Sequence, residues 1–399
     1  MPTTNSPPPA RVARIITRLN IGGPAIQAAR LVSLLEQHGY RTRLIHGRLG
    51  ADEGDMRYLL EDGADTVYLP SLGRSIAPLD DARTLLALVR ELRSFQPQIV
   101  HTHTAKAGFL GRLAAAVYNL TRGAAPRARV VHTYHGHVLE GYFNPVASRT
   151  FIALERLLAR ITDVIVTVAP SIQQTLFTTY RIGRERQYRV IPLGFELESF
   201  AAIDDHTRAE ARVALGLAAD ALVVTTVGRL TAIKQPQLFL DTVARLASRV
   251  PKLVALVAGD GELRQELRSR AASLGLADRV RWLGWRRDLT TVYAATDVFL
   301  LTSRNEGTPV ALIEAMASAV SGVSTDVGGV RDVIESPAVG RLVAPVDSEA
   351  LAAAAEKLLT DASLRREIGS RARAHVVTKY GIERLVNDIL KIYGELLGG

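Results

Sequence analysis

Short apolar runs rich in β-branched residues alternate along the chain with longer stretches whose apolar positions recur every three or four residues. The short runs predict buried strands, and the longer stretches predict amphipathic helices. This alternation is typical of parallel sheets that are covered by helices on both faces. In the first half, the predicted strands are 13–17, 41–46, 99–102, 130–133, 164–168 and 189–191. The predicted helices there include 25–37, 82–95 and 106–118.

The strand pattern stops after Ile191-Pro192-Leu193-Gly194, and an acidic, irregular stretch leads to a helix that ends near Gly216. The pattern then restarts, with predicted strands at 222–227, 253–258, 280–283 and 298–301 and a helix at 237–250. We therefore predict an α/β protein of two Rossmann-like, doubly wound parallel-sheet domains that face each other across a cleft. The predicted divisions are a flexible tail at 1–10, a first domain at 11–197, a second domain at 198–380 and a final helix within 381–399.

Composition fits this organisation. A length of 399 residues suits two domains, and a hydrophobic content of 47% is that of an ordinary globular protein. No apolar run approaches the roughly 18 residues of a membrane-spanning helix, and the polar, Pro-rich start has no apolar signal core. We therefore expect a cytoplasmic protein. The absence of cysteine excludes disulfides, thiolate catalysis and Cys-ligated metal sites.

The net charge of +9 is unevenly distributed. Residues 1–199 hold 24 Lys and Arg against 16 Asp and Glu, a balance of +8, whereas the remainder holds 25 against 24, a balance of +1. A basic first half favours an anionic partner such as nucleic acid, an acidic membrane surface or a phosphate-bearing acceptor. A solvated basic surface explains the same balance equally well.

The most informative local pattern is the segment 303–314, which follows the predicted strand 298–301. Gly307 permits a tight turn, and Pro309 suits the first position of a helix whose N–H groups would attract phosphate. Glu306 would lie at the lip of the cleft, with Glu314 about a turn and a half along the helix. Two carboxylates so placed suit two separate diols, as on a sugar and a ribose. By spacing alone, an ordinary loop acid and a surface helix acid are the better interpretation.

A second pattern, Gly228-Arg229 with Lys234, follows the first strand of the second domain. Gly228 lets the backbone turn close to a ligand. Arg229 and Lys234 would place two cations where a diphosphate could be neutralised without a metal. The alternative is a pair of surface residues in salt bridges. The sequence has no Asp-x-Asp pair, which favours the metal-free interpretation.

In the first domain, Gly22 and Gly23 form a turn between the first strand and a helix. This turn lacks the glycine spacing of a dinucleotide site and of a P-loop, so it indicates a close approach between backbone and substrate and nothing more specific. Five histidines lie at the ends of predicted strands in that domain: His101, His103, His132, His135 and His137. They could bind a metal, but with no acidic residue among them a polar cleft lining is favoured. His135 is best placed to meet a ligand.

The predicted helix 106–118 carries small residues on one side and Lys106 and Arg112 on another. A helix with a basic patch could lie on an anionic membrane. Core packing of its Leu and Ala face is the favoured explanation because its hydrophobic side is narrow.

Several motifs occur together in one order, and each alone is weak. They are Gly22-Gly23-Pro24, His101-Thr102-His103-Thr104-Ala105-Lys106-Ala107-Gly108, Tyr134-His135-Gly136-His137, Val190-Ile191-Pro192-Leu193-Gly194, Gly228-Arg229 with Lys234, Ala258-Gly259-Asp260-Gly261, and Glu306 with Glu314. With these motifs, the chain from about Arg14 to Leu397 resembles the retaining glycosyltransferases of family 4, which have the GT-B fold. The resemblance is to the branch that builds bacterial capsules and exopolysaccharides.

The resemblance implies a metal-independent, retaining hexosyl- or N-acetylhexosaminyltransferase that needs no cofactor besides its nucleotide-sugar substrate. UDP is the nucleotide that it favours, with GDP and ADP open. The second domain would bind the donor, and the first would bind a glycan, lipid-linked or small-molecule acceptor. The final helix would pack back on the first domain. Peripheral contact with an anionic membrane is possible through the basic half, and nucleic acid is not expected as a partner.

The resemblance also implies roles for residues. Glu306 would bind hydroxyls of the donor sugar and Glu314 the ribose, while Arg229 and Lys234 hold the diphosphate. His135 would approach the sugar. The remaining donor-binding positions are Gly22, Gly23, Gly228, Gly307, Thr308 and Pro309, with the backbone at Gly23 touching phosphate. The catalytic candidates are His135, Arg229, Lys234 and Glu306.

The chain departs from the family where relatives usually have Gly, Pro and an apolar residue. It reads Ala319-Val320-Ser321-Gly322 there. Glycine in a predicted central strand is expected to weaken that strand.

Two other classes of function share parts of this pattern. A sugar-nucleotide epimerase or a phosphorylase could have two Rossmann-like domains, although the paired Glu and paired cation motifs favour transfer. A non-catalytic protein that binds nucleic acid or a membrane surface would rest on the basic first half.

Overall fold

The structure is a computed structural model that describes residues 9–20, 22–50, 53–136 and 145–398. The chain forms two compact units. The first combines the chain up to Phe195 with the chain from Ile382 onwards, and the second comprises Glu196–Gly381. The assignment of acceptor to the first and nucleotide sugar to the second stays a prediction. Most of the predicted tail, residues 1–8, lies outside the described residues, as does His137.

The first unit contains a seven-stranded parallel sheet in the order β3-β2-β1-β4-β5-β6-β7. Its strands are β1 (Ala10–Ile16), β2 (Tyr40–Gly47), β3 (Thr66–Leu69), β4 (Ile99–His103), β5 (Arg129–Tyr134), β6 (Val164–Thr167) and β7 (Tyr188–Val190). Its helices in this part of the chain are α1 (Gly23–Glu36), α2 (Pro78–Phe95), α3 (Ala105–Thr121), α4 (Pro145–Ala159) and α5 (Pro170–Gln174). The sheet order is that of a doubly wound Rossmann-like fold, as the alternating pattern predicts.

The second unit contains a six-stranded parallel sheet in the order β10-β9-β8-β11-β12-β13. Its strands are β8 (Leu222–Val227), β9 (Leu253–Ala258), β10 (Val280–Gly284), β11 (Val298–Leu301), β12 (Ser321–Thr325) and β13 (Arg341–Val343). Its helices are α6 (Glu198–Ala201), α7 (Asp205–Ala214), α8 (Pro236–Arg249), α9 (Arg264–Ser273), α10 (Leu289–Ala294), α11 (Val310–Ala317), α12 (Ser348–Thr360) and α13 (Ala362–Tyr380). The predicted α/β class with two doubly wound sheets is confirmed.

Local sequence explains where the helices begin and end. Proline occupies the first turn of α1, α2 and α8, where its missing N–H would have no partner in the helix. Helix α2 ends at Phe95 because Gln96 adopts a left-handed conformation with φ of 49° and Pro97 follows it.

The last helix, α14 (Ile382–Leu397), belongs to the first unit. Its apolar face, including Leu385, Ile389 and Tyr393, packs in one buried cluster with strand residues of that unit such as Val12 and Val131. Among the residues that the structure describes, no helix has the length and apolar character needed to cross a membrane.

The basic patch suggested for α3 is not present. Arg112 is fully buried and donates to both carboxylate oxygens of Glu155 at 2.8 Å. Lys106 pairs with Asp81 at 2.5 Å. The hypothesis that this helix lies on a membrane through those two cations is therefore wrong, and the favoured alternative of core packing holds for Leu110, which is 4% exposed.

Gly322 lies in β12, which is flanked by β11 and β13. A Cβ atom at Gly322 would lie 2.6 Å from Leu312 Cδ1 on α11. The glycine that departs from the family pattern thus makes room for a neighbouring leucine. Ala319, which precedes this strand, has the left-handed φ of 55°.

Candidate active site

The second unit brings together two loops at the carboxyl ends of β8 and β11, which are neighbours in the sheet. The loops are joined by a hydrogen bond of 2.8 Å from the backbone N–H of Arg304 to the carbonyl of Ile233. With the end of β8 they line a shallow depression whose wall includes Arg229, Lys234 and Ser303. The structure therefore places the two sequence-predicted cations beside the loop that carries Glu306.

Glu306 is held by two side chains. Lys234 Nζ lies 2.6 Å from Glu306 Oε1, and Ser303 Oγ donates to the same oxygen at 2.5 Å. The Glu306 side chain is 7% exposed and that of Lys234 is 30% exposed. The Glu306 carboxylate is therefore buried, whereas the sequence predicted an exposed position at the lip of the cleft. The paired Lys234 compensates the free-energy cost of burying this charge.

The loop that carries Glu306 is also packed against a pair of glycines that the sequence reasoning missed. The backbone N–H of Gly329 donates to the carbonyl of Glu306 at 2.9 Å. A Cβ atom at Gly329 would lie 1.9 Å from the carbonyl oxygen of Gly307, so no other residue fits without a backbone shift. The Gly328-Gly329 pair after a predicted strand was a signal that could have identified this contact.

Arg229 follows Gly228 at the end of β8 and its side chain is exposed. Within the described ranges it has no ion-pair partner, so the alternative of a salt-bridged surface residue does not apply to it. Lys234, in contrast, is paired as that alternative supposed, but with the other candidate residue, Glu306. The two cations thus differ: one is paired inside the site and the other is available to an incoming anion.

Glu314 lies on α11 and accepts a hydrogen bond of 2.9 Å from the hydroxyl of Tyr293, a fully buried residue of α10. Burial raises the pKa of Glu314 to about 7, and the Tyr293 hydrogen bond opposes that shift. Pro309 is the residue before α11 rather than its first helical residue, and Gly307 and Thr308 lie in the loop ahead of it. Sequence reasoning missed Tyr293 because an aromatic residue in an apolar helix has no distinguishing pattern.

In the first unit, Gly22 and Gly23 form the predicted turn between β1 and α1. The carbonyl of Gly22 accepts the first hydrogen bonds of the helix, from Ala25 and Ile26 at 3.1 and 3.2 Å. A Cβ atom at Gly23 would lie 2.6 Å from Leu193 Cδ1. A side chain at position 23 would therefore require the Leu193 side chain to move.

Three of the five candidate histidines, His101, His103 and His135, cluster at the carboxyl ends of β4 and β5, whereas His132 lies on the opposite face of the sheet beside Thr102 and Tyr134. The rings of His101 and His103 stack at 4.3 Å, and those of His103 and His135 are 5.3 Å apart. His103 Nδ1 lies 3.1 Å from His135 Nε2, and His132 Nδ1 lies 2.8 Å from the hydroxyl of Thr102. The fully buried Arg14 on β1 contacts His103 and His101, a partner that sequence reasoning missed.

These histidines are neutral at ordinary pH. Burial lowers the pKa values of His101, His103 and His132 well below 6.5, with the charge of Arg14 adding to the effect at His101 and His103 and that of Arg112 at His132. Burial and then Arg14 lower the pKa of His135 to about 3, although part of its side chain remains exposed. Over the described residues, no three His, Asp or Glu side chains are grouped so as to hold a metal ion.

Comparison with known proteins decides which family has this architecture. Residues 21–199 match the model of "Glycosyltransferase Family 4", and residues 207–375 match that of "Glycosyl transferases group 1". The chain belongs to glycosyltransferase family 4. It is an enzyme that transfers glycosyl groups, as the resemblance implies.

Curated relatives of this glycosyltransferase align with most of its length. The UDP-Gal:alpha-D-GlcNAc-diphosphoundecaprenol alpha-1,3-galactosyltransferase of Escherichia coli is 27% identical over 349 residues, covering 87% of this chain and 88% of its own. The putative glycosyltransferase EpsF of Bacillus subtilis (strain 168) is 28% identical over 317 residues, covering 79% of each chain.

Solved structures agree on the fold of this glycosyltransferase. Anabaena Alr3699/HepE in complex with UDP superposes with a TM-score of 0.80 at 23% identity, covering 96% of this chain and 100% of its own. WaaG, a glycosyltransferase involved in lipopolysaccharide biosynthesis, gives a TM-score of 0.71 at 18% identity, covering 97% and 100%. The predicted GT-B fold is confirmed by these neighbours.

Proposed function

We propose that this enzyme transfers a sugar from a UDP-sugar to a glycan or lipid-linked acceptor, with retention of the anomeric configuration and without a metal ion. The E. coli relative is named for a UDP-Gal donor and a diphosphoundecaprenol-linked acceptor, and the Anabaena neighbour was solved with UDP. These names support a nucleotide donor of the uridine class and a lipid-linked acceptor for this chain.

The observation that carries the proposal is the arrangement of Lys234, Glu306 and Arg229 at the carboxyl ends of β8 and β11. Arg229 and Lys234 would bind the diphosphate, which needs about two positive charges in place of a divalent metal. Glu306 would accept hydrogen bonds from sugar hydroxyls once Lys234 shares its charge with the diphosphate. Glu314 would accept hydrogen bonds from the ribose.

The reaction that fits these groups proceeds on one face of the sugar. The bond from the anomeric carbon to the diphosphate oxygen breaks, and the acceptor oxygen bonds to the same face of that carbon. The acceptor proton passes to the leaving diphosphate oxygen, so no dedicated base is required. Arg229, Lys234 and the N–H groups at the start of α11 would stabilise the charge that develops on the leaving diphosphate.

The test is thermal stabilisation by UDP, GDP, ADP and their common sugars in the presence of a metal chelator. Binding to the folded protein raises its melting temperature in proportion to the logarithm of the ligand concentration above Kd. We expect uridine nucleotides to stabilise the wild type, and Glu306→Gln and Lys234→Ala to reduce the UDP-sugar shift.

Glu349→Gln and Lys252→Ala are the matched controls because they alter exposed ion pairs of the same unit. Both should keep the wild-type response. Stabilisation by no nucleotide, or the same shift in all variants, would contradict the proposed donor site. Incubation with the stabilising UDP-sugar and acceptor, followed by measurement of the anomeric coupling constant in the product, tests retention.

A further inference from the structure

Tyr293 and Glu314 form a pair between two helices of the second unit, α10 and α11. The Tyr293 hydroxyl donates to Glu314 Oε2 at 2.9 Å. Tyr293 is fully buried, whereas Glu314 keeps part of its surface exposed. Among the described residues, Glu314 Oε1 has no hydrogen-bond partner, and it is not shielded from solvent. The protein therefore holds one carboxylate oxygen and leaves the other open to a ligand.

Aromatic packing holds the Tyr293 ring in place. The ring of Phe200 on α6 meets it edge-on at a centroid distance of 5.7 Å, and the ring of Phe299 on β11 does so at 6.0 Å. Both contacts involve the ring and not the hydroxyl. Replacing Tyr293 by phenylalanine would therefore remove the hydrogen bond to Glu314 while the ring contacts remain.

Arg208 on α7 joins the two helices that carry the pair. Its guanidinium donates to the carbonyl of Ala294, the last residue of α10, at 3.3 Å. It also donates at 2.5 Å to the carbonyl of Ser318, which ends α11. The Ser318 hydroxyl in turn donates to the backbone carbonyl of Glu314 at 2.9 Å. The spacing between Tyr293 and Glu314 is thus set by contacts outside the pair.

The chemistry of the pair favours an ionised Glu314. An ionised carboxylate only accepts hydrogen bonds and offers about four lone-pair positions, of which Tyr293 uses one. Protonation turns one oxygen into a donor. A hydrogen bond from Tyr293 is stronger to the charged form, so it opposes protonation. Burial acts in the opposite direction and raises the pKa of Glu314 to about 7. The protonation of this carboxyl group therefore changes around neutral pH.

Charged groups on the elements packed against α11 do not contact the Glu314 carboxylate. These elements are α6, α13, β11 and β12. The two strands contain no charged residue, and Glu198 on α6 is exposed. The ionisable side chains of α13 are exposed or have other partners: Arg365 with Asp297, Arg371 with Glu367, Arg373 with the Ile203 carbonyl, His375 with the Val333 carbonyl, Lys379 with Glu335, Tyr380 with the Asp332 carbonyl, and the exposed Arg366. Burial and the Tyr293 hydrogen bond are the two influences on Glu314.

We propose that Tyr293 is a positioning residue that holds Glu314 by one oxygen and favours its ionised form, so that the affinity of the second unit for a uridine nucleotide rises with pH around neutrality. The contact between Glu314 and the ribose rests on the proposed function, whereas the effect of Tyr293 on the ionisation of Glu314 does not. Two donating hydroxyls need acceptors, so a protonated Glu314 has to lose its proton before they bind. Below the pKa of Glu314, the apparent affinity should fall by up to about tenfold per pH unit.

A titration of the side-chain carboxyl groups tests the pair without any ligand. The protein is labelled with ¹³C at the glutamate carboxyl carbon, its spectra are recorded from pH 5 to pH 9, and Glu314→Gln identifies the signal. We expect a midpoint near 7 in the wild type. Tyr293→Phe should raise the midpoint by about one pH unit, because it removes a hydrogen bond to the charged form. An unchanged or lower midpoint in Tyr293→Phe would overturn the proposal.

Tyr380→Phe is the matched control. Tyr380 is 3% exposed, lies in the same unit and donates to the carbonyl of Asp332 at 2.7 Å. Both changes remove a hydroxyl with a backbone or side-chain acceptor and are expected to lower the melting temperature. Only Tyr293→Phe should change the midpoint of Glu314. The same change in Tyr380→Phe would mean that general loosening of the unit is the cause, which would overturn the proposal.

Calorimetric titration with UDP-glucose between pH 6 and pH 8.5 tests the consequence for binding. A UDP-sugar is used because the terminal phosphate of UDP itself takes up a proton near pH 6. The wild type should bind about 10-fold more weakly at pH 6 than at pH 8.5. Tyr293→Phe should bind about 5-fold more weakly than the wild type at pH 7 and within about twofold of it at pH 8.5.

The outcomes separate this inference from the proposed function. If UDP-glucose does not bind, the other UDP-sugars of the thermal test take its place. Binding with the same pH dependence in the wild type and Tyr293→Phe would overturn the inference and leave the proposed function standing. Binding of no nucleotide sugar at any pH would refute the proposed function, while the carboxyl titration would still decide whether Tyr293 controls the ionisation of Glu314.

Discussion

The two units bring polar side chains to the carboxyl ends of their sheets in different ways. In the first unit, the buried cation Arg14 contacts His101, His103 and Tyr393, and among the described residues it has no carboxylate partner. In the second unit, carboxylates and cations pair directly, as Lys234 does with Glu306. Net charge is distributed the other way, with +8 in residues 1–199 and +1 in the rest. Overall charge therefore does not locate the charged candidate site.

The comparison predicts opposite responses to pH, and the largest effect is expected in the first unit. The pKa values of His101, His103 and His132 are depressed in the folded state, so below pH 6.5 the unfolded chain binds protons that the folded chain does not. These histidines therefore contribute their full stabilisation of the folded state above pH 6.5. As the pH falls below 6.5, the free energy of unfolding decreases by up to about 1.4 kcal/mol per histidine per pH unit.

Hydrogen exchange measured by mass spectrometry between pH 7 and 5, corrected for the intrinsic pH dependence of exchange, checks this prediction. Peptides of β4 and β5 should lose protection before those of β8 and β11. Equal loss in both units would contradict the contrast.

Glu314 should give the second unit the opposite dependence. Its pKa rises from 4.5 to about 7 on folding, so the folded state holds a proton that the unfolded chain releases between those values. The contribution of Glu314 to the free energy of unfolding is fully present below pH 4.5. It decreases by roughly 3 kcal/mol at most as the pH rises to 7. Glu314→Gln should therefore raise the melting temperature at pH 8 and change it little at pH 4.5. Glu349→Gln, at an exposed ion pair, should show no such gain.

Lys234→Ala tests whether the second unit relies on paired charges. The change leaves the Glu306 carboxylate, which is 7% exposed, without its cation and should destabilise the unit by about 1–2 kcal/mol. Combining Lys234→Ala with Glu306→Gln should recover most of that loss in denaturant unfolding but not donor binding. If Lys252→Ala, at an exposed pair, costs as much, burial of Glu306 is not the cause.

The smallest expected effect concerns the position that departs from the family. Ala319 has φ of 55°, a conformation that costs a residue with a Cβ about 1 kcal/mol. Ala319→Gly should stabilise the second unit by up to that amount in denaturant unfolding. Ala317→Gly, in helix α11, should instead destabilise it by about as much. Destabilisation by both changes would show that the backbone at 319 is not strained.

Sequence pattern predicted the buried strands and the long helices well because burial on both faces produces continuous apolar runs. Helix α14 (Ile382–Leu397) lies within the range 381–399 that was predicted for the final helix. The missed strands, β3 and β13, lie at sheet edges. Only the last of the four β3 residues is buried, and β13 has three residues, none of them fully buried, so neither strand produces a distinct apolar run.

Residues of the candidate site could be predicted where they stand in a short sequence motif. Residues that meet only through strand pairing or helix packing could not. Glu306, Lys234 and Arg229 stand in short motifs after strands, and the structure brings their loops together. Arg14 reads as an isolated polar residue inside a strand, and it reaches the histidines because β1 and β4 pair with Arg14 opposite His101. Tyr293 reaches Glu314 between two helices. Such contacts follow from three-dimensional packing, which one sequence does not display.

The placement of α14 has a consequence for synthesis on the ribosome. The second unit is continuous in sequence, whereas the first includes a helix, α14, that is synthesised after the whole of the second unit. Until then, the apolar strand surface that α14 covers and the Arg14 partner Tyr393 are both missing. The second unit can therefore be completed on the ribosome before α14 reaches the first unit. Nascent chains that stop before residue 382 would leave the strand surface of the first unit open to chaperones and proteases.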